Sequence, residues 1–326
     1  MTERFAVGSS PHIHAPLDTQ KIMAWVLASL LPAGAAGVWF LGGSSLAVIA
    51  TCVIVCVGSE FLWQRLAGQR VTVSDLSAAV TGLLLAYNLP PTIPLWMAAC
   101  GSVFAIVLVK QFFGGLGGNI VNPALAARAM MLISWPVAMT TWTVQGVSGA
   151  TPLAFLKGMG AAAAVSQATS AATEAASSTS PALHALWNLF IGNVGGCIGE
   201  TSAAALLLGG AVLIWRGIIS WRIPVVYIAT VAVLSLAFGR AGGPLYEVLV
   251  GGLMLGALFM ATDYTTSPMT ARGQFVFAAG CGLLTALIRT FGSYPEGVSY
   301  SILIMNLTVP LIDRLTVPRI LGEARR

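Results

Sequence analysis

Apolar runs recur along the chain, each closed by a short polar, glycine or proline stretch. They fall at 22–41, 46–66, 76–90, 92–112, 121–136, 199–216, 221–239, 243–262, 273–291 and 297–315. A helix needs about 20 apolar residues to cross the hydrocarbon core of a bilayer. The short alternating segments of a membrane β-barrel are missing from the pattern. The runs predict an all-α, polytopic transmembrane helix bundle of about ten spans. The third run ends in Asn88-Leu89-Pro90-Pro91, where two prolines stop a helix and start the return. The stretch 182–198, broken by Gly192, Gly195 and Gly196, is counted with the sixth span.

Composition strengthens this reading. Of 326 residues, 57% are hydrophobic and 8% charged, against about 25% charged in a soluble domain. The start of the chain, with Pro11, His12, His14 and Pro16, is polar, and no cleavable signal peptide is expected there.

The net charge of +5 changes the picture only through its placement. Arg4, Lys21, Arg65, Arg70, Lys110, Arg216, Arg222, Arg272, Arg314, Arg319, Arg325 and Arg326 fall at alternate ends of successive runs, as the positive-inside rule requires. This scatter argues against a nucleic-acid partner; the expected surroundings are lipid, in a bacterial or archaeal cytoplasmic membrane. Both termini are then cytoplasmic. The expected division is a segment 1–20, a first helical half 21–136, an extracytoplasmic loop 137–181, a second half 182–316 and a tail 317–326. Only Lys157 and Arg240 lie clearly on the outer side, while Arg128 and Arg289 are left inside or at the outer end of runs. Five spans per half would make the two halves inverted copies, a transporter-like plan. Residues 158–181, rich in Ala, Ser and Thr, read as a tether.

Cys52, Cys56, Cys100, Cys197 and Cys281 show no metal-ligand spacing; they read as small buried hydrophobes. Acidic residues near membrane depth are costly and point to function. Glu200 in "GCIGETSA" and Asp263 in "FMATDYTTSP" are the leading ones, for an ion path. Asp75 in "TVSDLSA" reads first as a helix cap. In "FFGGLGGNIVNPALAARAM", four glycines lead to Asn119, Asn122 and Pro123 at a helix start. Irregular backbone at this depth needs protein or a polar cavity over it. The two amides suit the polar edge of a flat heterocycle, and an ordinary turn with Asn caps explains them as well.

The longest gap between runs holds "GVSGATPLA", residues 146–154. A surface Ser-Gly-Ala-Thr-Pro is by default a turn before a helix. Together with "SSPHIHAP", "PPTIPLW", "GGLGGNIVNPALAARA", "GETSA", "ISWRIP", "FMATDYTTSP", "LIRTFGSYPEGVSY" and "MNLTVPLIDR", however, the chain resembles the D subunits of Rnf electron-transport complexes. The related B subunit of the Na⁺-translocating NADH:quinone oxidoreductase shares many of these motifs and is the alternative; the short stretch before "SSPHIHAP" favours the Rnf type. A channel or secondary transporter for a small solute is the competing class.

The resemblance implies a subunit of an ion-translocating oxidoreductase, an electron carrier between ferredoxin and NAD coupled to Na⁺ or H⁺ movement. It implies FMN esterified to Thr151 by an extracytoplasmic flavin transferase, with Ser148, Gly149 and Ala150 as the small flanking residues. The Asp usual six residues before the threonine is Gln145 here. A second flavin, riboflavin in the quinone-reductase relative, is implied near Asn119 and Asn122. The implied partners are the other Rnf-type subunits, including a second flavinylated one and iron–sulfur subunits.

Overall fold

The computed structural model describes residues 18–144, 147–149, 181–192, 194–240, 243–292 and 296–317. Helix α1, Thr19–Leu41, is capped by Asp18, whose Oδ1 accepts from Thr19 N at 2.7 Å. Its start defines the near end of the bundle. Gly42, at φ +89°, takes a conformation open to glycine and turns the chain at once into α2, Gly43–Leu66. A 3₁₀ turn at Val73–Asp75 leads into α3, Ser77–Tyr87. Helix α4, Leu95–Val103, continues as a π-helix through Phe104–Gln111. Asn122 caps α5, Pro123–Ser134, with Pro123 at its first position, where a missing N–H costs nothing.

At the far end, α6 (Pro136–Thr140) is followed by an antiparallel hairpin, β1 Trp142–Val144 and β2 Val147–Gly149. The second half comprises α7 (Pro181–Ile191), a 3₁₀ turn at Ile198–Glu200, α8 (Ala203–Trp215), α9 (Arg222–Ala237), α10 (Gly243–Leu249), α11 (Leu253–Leu255) with a π segment Gly256–Met260, α12 (Ala271–Phe291) and α13 (Val298–Thr316).

The all-α expectation holds, with the hairpin as a small addition. Among the described residues four helices (α1, α2, α12 and α13) are long and apolar enough to cross a membrane, and α10 with α11 and its π segment is an apolar pair bent by 69°, a broken span or a re-entrant loop. Each of the remaining predicted runs is a shorter apolar helix. The third, at eleven residues, is only about 16 Å long. The 3₁₀ turn before it and the buried segment 88–91 after it extend it, the latter non-helical backbone that surrounding protein covers. The stretch 182–198 differs from expectation: α7 is a helix of its own, Gly192 at φ +123° ends it, and α8 begins only at Ala203 under a Ser202 cap.

Only 28% of the most apolar windows of α1 and α2 is buried within the protein, and Trp39, Ile54, Leu62 and Trp215 face outward. These surfaces meet lipid, with Trp39 and Trp215 at the helix ends where interfacial aromatics gather. The chain is a multi-pass membrane protein.

Helices far apart in the chain pack on each other: α1 against α8, running oppositely, and α5 against α13. The α1–α8 contact is close because α8 presents Gly209, where a Cβ would collide with the Ser29 carbonyl oxygen. Arg216 at the end of α8 lies over the Trp25 ring, 4.2 Å from its centroid, which fixes the end of α8 beside the start of α1. Thr92 Oγ1 donates to Thr141 O at 3.4 Å; the hairpin therefore lies at the opposite end from the start of α1.

Candidate functional site

Two polar centres sit inside this apolar bundle, one toward each end. The near one is a cleft whose lining includes Leu116 and Asn119 of the glycine-rich stretch. Gly114, Gly115 and Gly117 have φ of +106°, +87° and +93°, so the segment cannot be helix. It leads to Asn119, whose Nδ2 donates to Val121 O at 3.2 Å and Thr265 Oγ1 at 2.9 Å. Thr265 in turn donates to Asp263 Oδ2 at 2.9 Å, and Thr266 donates to the same oxygen at 3.2 Å. Asn119, Asn122 and Asp263 are thereby brought together, with Ser77, Thr81 and Lys110 on the opposite wall. Apolar side chains of α1 and α8, Ile22, Val26 and Leu213 among them, complete the lining. Counting the solvent space at its open mouth, the cleft holds about 780 Å³.

Asn122 is partly consumed by structure. Its Oδ1 accepts from Ala124 N (3.1 Å) and Leu125 N (3.3 Å), and its Nδ2 reaches Met260 O at 3.4 Å. The Asn-cap reading is thus correct for Asn122, whereas no described residue donates to Asn119 Oδ1.

The far centre is built on Arg128 of α5. Its Nη1 donates to Asn88 Oδ1 at 2.7 Å and Glu200 Oε1 at 3.4 Å. Its Nη2 donates to Glu296 Oε2 and, at 3.6 Å, to Cys197 Sγ. Two carboxylates share one guanidinium here. Glu200 therefore does not meet Asp263; the two expected ion-path residues belong to different centres. Asn306 of α13 plays the part of Arg128 at the near end. Its amide donates to Thr266 O and Ile302 O and accepts from Asn122 N, each at 3.1 Å. Arg128 on α5 and Asn306 on α13 thus each tie together the broken segments around them.

Sequence reasoning misses Glu60, Gln111, Glu247 and Glu296. Glu60 carries a signal, an acid inside the apolar run of α2. Lys110 donates to both its oxygens, at 2.9 and 3.0 Å, and Gln111 Nε2 adds 2.7 Å. Arg289, left over by the charge pattern, is held by Glu247 Oε2 at 3.1 Å, and Arg240 Nε bonds the same carboxylate at 2.6 Å. Cys52, Cys56, Cys197 and Cys281 are buried as expected, and Cys100 is exposed. Among the described residues no cluster of ligand side chains for a metal occurs. Ser148 and Gly149 lie in β2, paired with Thr143 and Trp142. Ala150, Thr151 and Gln145 lie outside the described residues.

Comparison with known proteins decides the family. Residues 6–322 match the NQR2, RnfD, RnfE family. The chain belongs to it. Within that family, the chain is 50% identical to the D subunit of the Na⁺-translocating ferredoxin:NAD⁺ oxidoreductase complex of Acetobacterium woodii, covering 98% of this chain and 96% of the relative. It is 45% identical to the D subunit of the proton-translocating ferredoxin:NAD⁺ oxidoreductase complex of Clostridium ljungdahlii, over 98% and 97%. Against the D subunit of the ion-translocating oxidoreductase complex of Halorhodospira halophila the identity is 38%, over 97% and 95%. The resemblance to Rnf D subunits thus extends over the whole length. One of these relatives is named for Na⁺ and another for protons, so family membership does not fix the ion.

Proposed function

We propose that this chain is the D-type membrane subunit of an ion-translocating ferredoxin:NAD⁺ oxidoreductase complex and carries electrons across the bilayer on two flavins. FMN is esterified to Thr151 on the extracytoplasmic side, and a second, non-covalent flavin, riboflavin in chemistry, occupies the near cleft. Full-length similarity to D subunits is the observation that carries this reading; it favours an electron carrier over a solute transporter, which a bundle of broken helices would also suit.

The residues of the cleft fit such a group. A cleft with apolar walls and a few convergent polar groups is a common form of ligand site, and Asn119 Oδ1 is free to accept from a ring N–H. Bound there, the flavin supplies one- and two-electron redox chemistry that no side chain of this protein offers. The chain's own residues position it: Asn119, itself held by Thr265, and the backbone fixed by the Asn122 cap. Asp263 supplies negative charge at the cleft edge and Glu200 at the far centre, and they are proposed as stations for the moving cation. The other redox subunits of the complex supply and remove electrons, and a flavin transferase loads Thr151. Lys21, Arg65, Arg70, Arg216, Arg222, Arg272 and Arg314 gather at the near end; this supports cytoplasmic termini and an extracytoplasmic segment around Thr151.

In-gel flavin fluorescence of the denatured full-length protein tests the reading. Co-expressed with a flavin transferase, the wild type is expected to fluoresce and Thr151→Ala to be dark; a mutant as bright as the wild type would overturn the assignment.

A further inference from the structure

The near cleft is connected to its rim by a chain of side chains that flavin binding leaves without a role. Lys110 lies at the end of α4, where the switch to π-helix re-aims the last turn, as such segments often do at functional sites. Its Nζ donates to Ser77 Oγ at 2.6 Å, and Ser77 Oγ donates to Asp75 Oδ1 at 2.6 Å. Lys110 and Ser77 are buried and line the cleft, whereas Asp75 is half-buried, beside exposed Ser74 and Arg70. A polar path of two hydrogen bonds thus runs from the cleft to the protein surface.

The charges around it make the path matter. Facing Lys110 are Glu60 from α2, Asp75 before α3 and, across the cleft, Asp263 after α11. Three acidic side chains surround one ammonium. An electron added to a ligand here brings a negative charge, and in an apolar site that charge has to be met by a cation or a proton. Lys110 is the only described cation lining the cleft, and the hydroxyl of Ser77 is a proton carrier that both accepts and donates.

We propose that Asp75, Ser77 and Lys110 form the proton relay between the near cleft and the cytoplasmic water, with Glu60 as the counter-ion of Lys110. This rests on the cleft holding the second flavin. Delivery inward moves one proton net. The Lys110 Nζ–H bond breaks toward the ligand, and the amine lone pair takes the Ser77 hydroxyl proton. Asp75, first protonated from water, gives that proton to Ser77 Oγ in the same movement, which restores its carboxylate. Release runs the other way, along the direction in which the two hydrogen bonds already point. Electrons come from the neighbouring redox subunit; these side chains move protons only.

The test uses the full-length chain carrying Thr151→Ala, so that only non-covalent flavin reports. The reduced protein is mixed rapidly with ferricyanide, which takes electrons without protons, and a pH-indicator dye follows proton release in weak buffer. Asp75→Asn is expected to slow release about a hundredfold at unchanged flavin content, and Ser77→Ala to slow it as much per flavin bound. Ser77→Thr is expected to keep most of the rate, and formate or azide to restore it in Asp75→Asn. A structural role for Asp75 would not be rescued by a small acid. Release at the parent rate in both variants, with flavin still bound, would overturn the relay alone. A Thr151→Ala parent that purifies without flavin would overturn the cleft reading and the relay with it.

Discussion

Lys110 on α4 and Glu60 on α2 form an ion pair of 2.9 Å in which the two side chains are 3% and 1% exposed. Removing one partner strands a charge among apolar helices, which costs about 3–5 kcal/mol, whereas replacing both with apolar residues of like volume is close to neutral. Glu60→Gln keeps two polar atoms and should lose less than Glu60→Leu. Lys110→Met combined with Glu60→Leu should recover most of the loss. Thermal unfolding of the purified protein in detergent measures all of these, and an additive double variant would show that the pair is not coupled.

Arg128 predicts a sharper asymmetry. Its guanidinium bonds Asn88, Glu200 and Glu296 at once, a fork that a lysine does not reproduce. Arg128→Lys should therefore destabilise nearly as much as Arg128→Met, while Arg128→Met with Glu296→Gln should regain part of it. The readout is again the unfolding temperature.

These two ion pairs mark how far the sequence can be read. Runs of apolar residues announce the long helical segments, though not α6 or α7 as helices of their own, because length and hydropathy are local properties. The Asp18, Asn122 and Ser202 caps are local too. Pairings such as Arg128 with Glu296 or Lys110 with Glu60 bring together residues far apart in the chain, and no spacing rule announces them. Lys110 therefore reads as a topology marker in the sequence, although its head group is buried. Asn119 and Asp263 are each visible as unusual, but their link through Thr265 exists only in the fold. Likewise α3 has the sequence of a full span, since burial of the segment 88–91 against other helices is a tertiary fact.

The α1–α8 seam offers a packing prediction. A methyl at Gly209 collides with the backbone carbonyl of Ser29, and the nearby Phe259 ring stands 3.1 Å from the same position. Backbone gives way less readily than a side chain, so Gly209→Ala should cost about 1–3 kcal/mol in detergent unfolding. Gly58→Ala, which meets open space on α2, should be neutral or slightly stabilising.

In the cleft, Asn119 and Thr265 act as one unit through their 2.9 Å hydrogen bond. Asn119→Ala should weaken riboflavin binding about tenfold, near the value of a single hydrogen bond of about 1–1.5 kcal/mol. Adding Thr265→Val should weaken it little further. Equilibrium dialysis of riboflavin against the deflavinated protein reads both.

The most direct measurement is a partition of flavin after acid precipitation of the purified, transferase-matured protein. Covalent flavin sediments with the polypeptide, and non-covalent flavin stays in solution. The wild type is expected to show flavin in both fractions and Thr151→Ala in the supernatant alone. A protein that purifies without flavin in either fraction, despite correct membrane insertion, would contradict the electron-carrier reading.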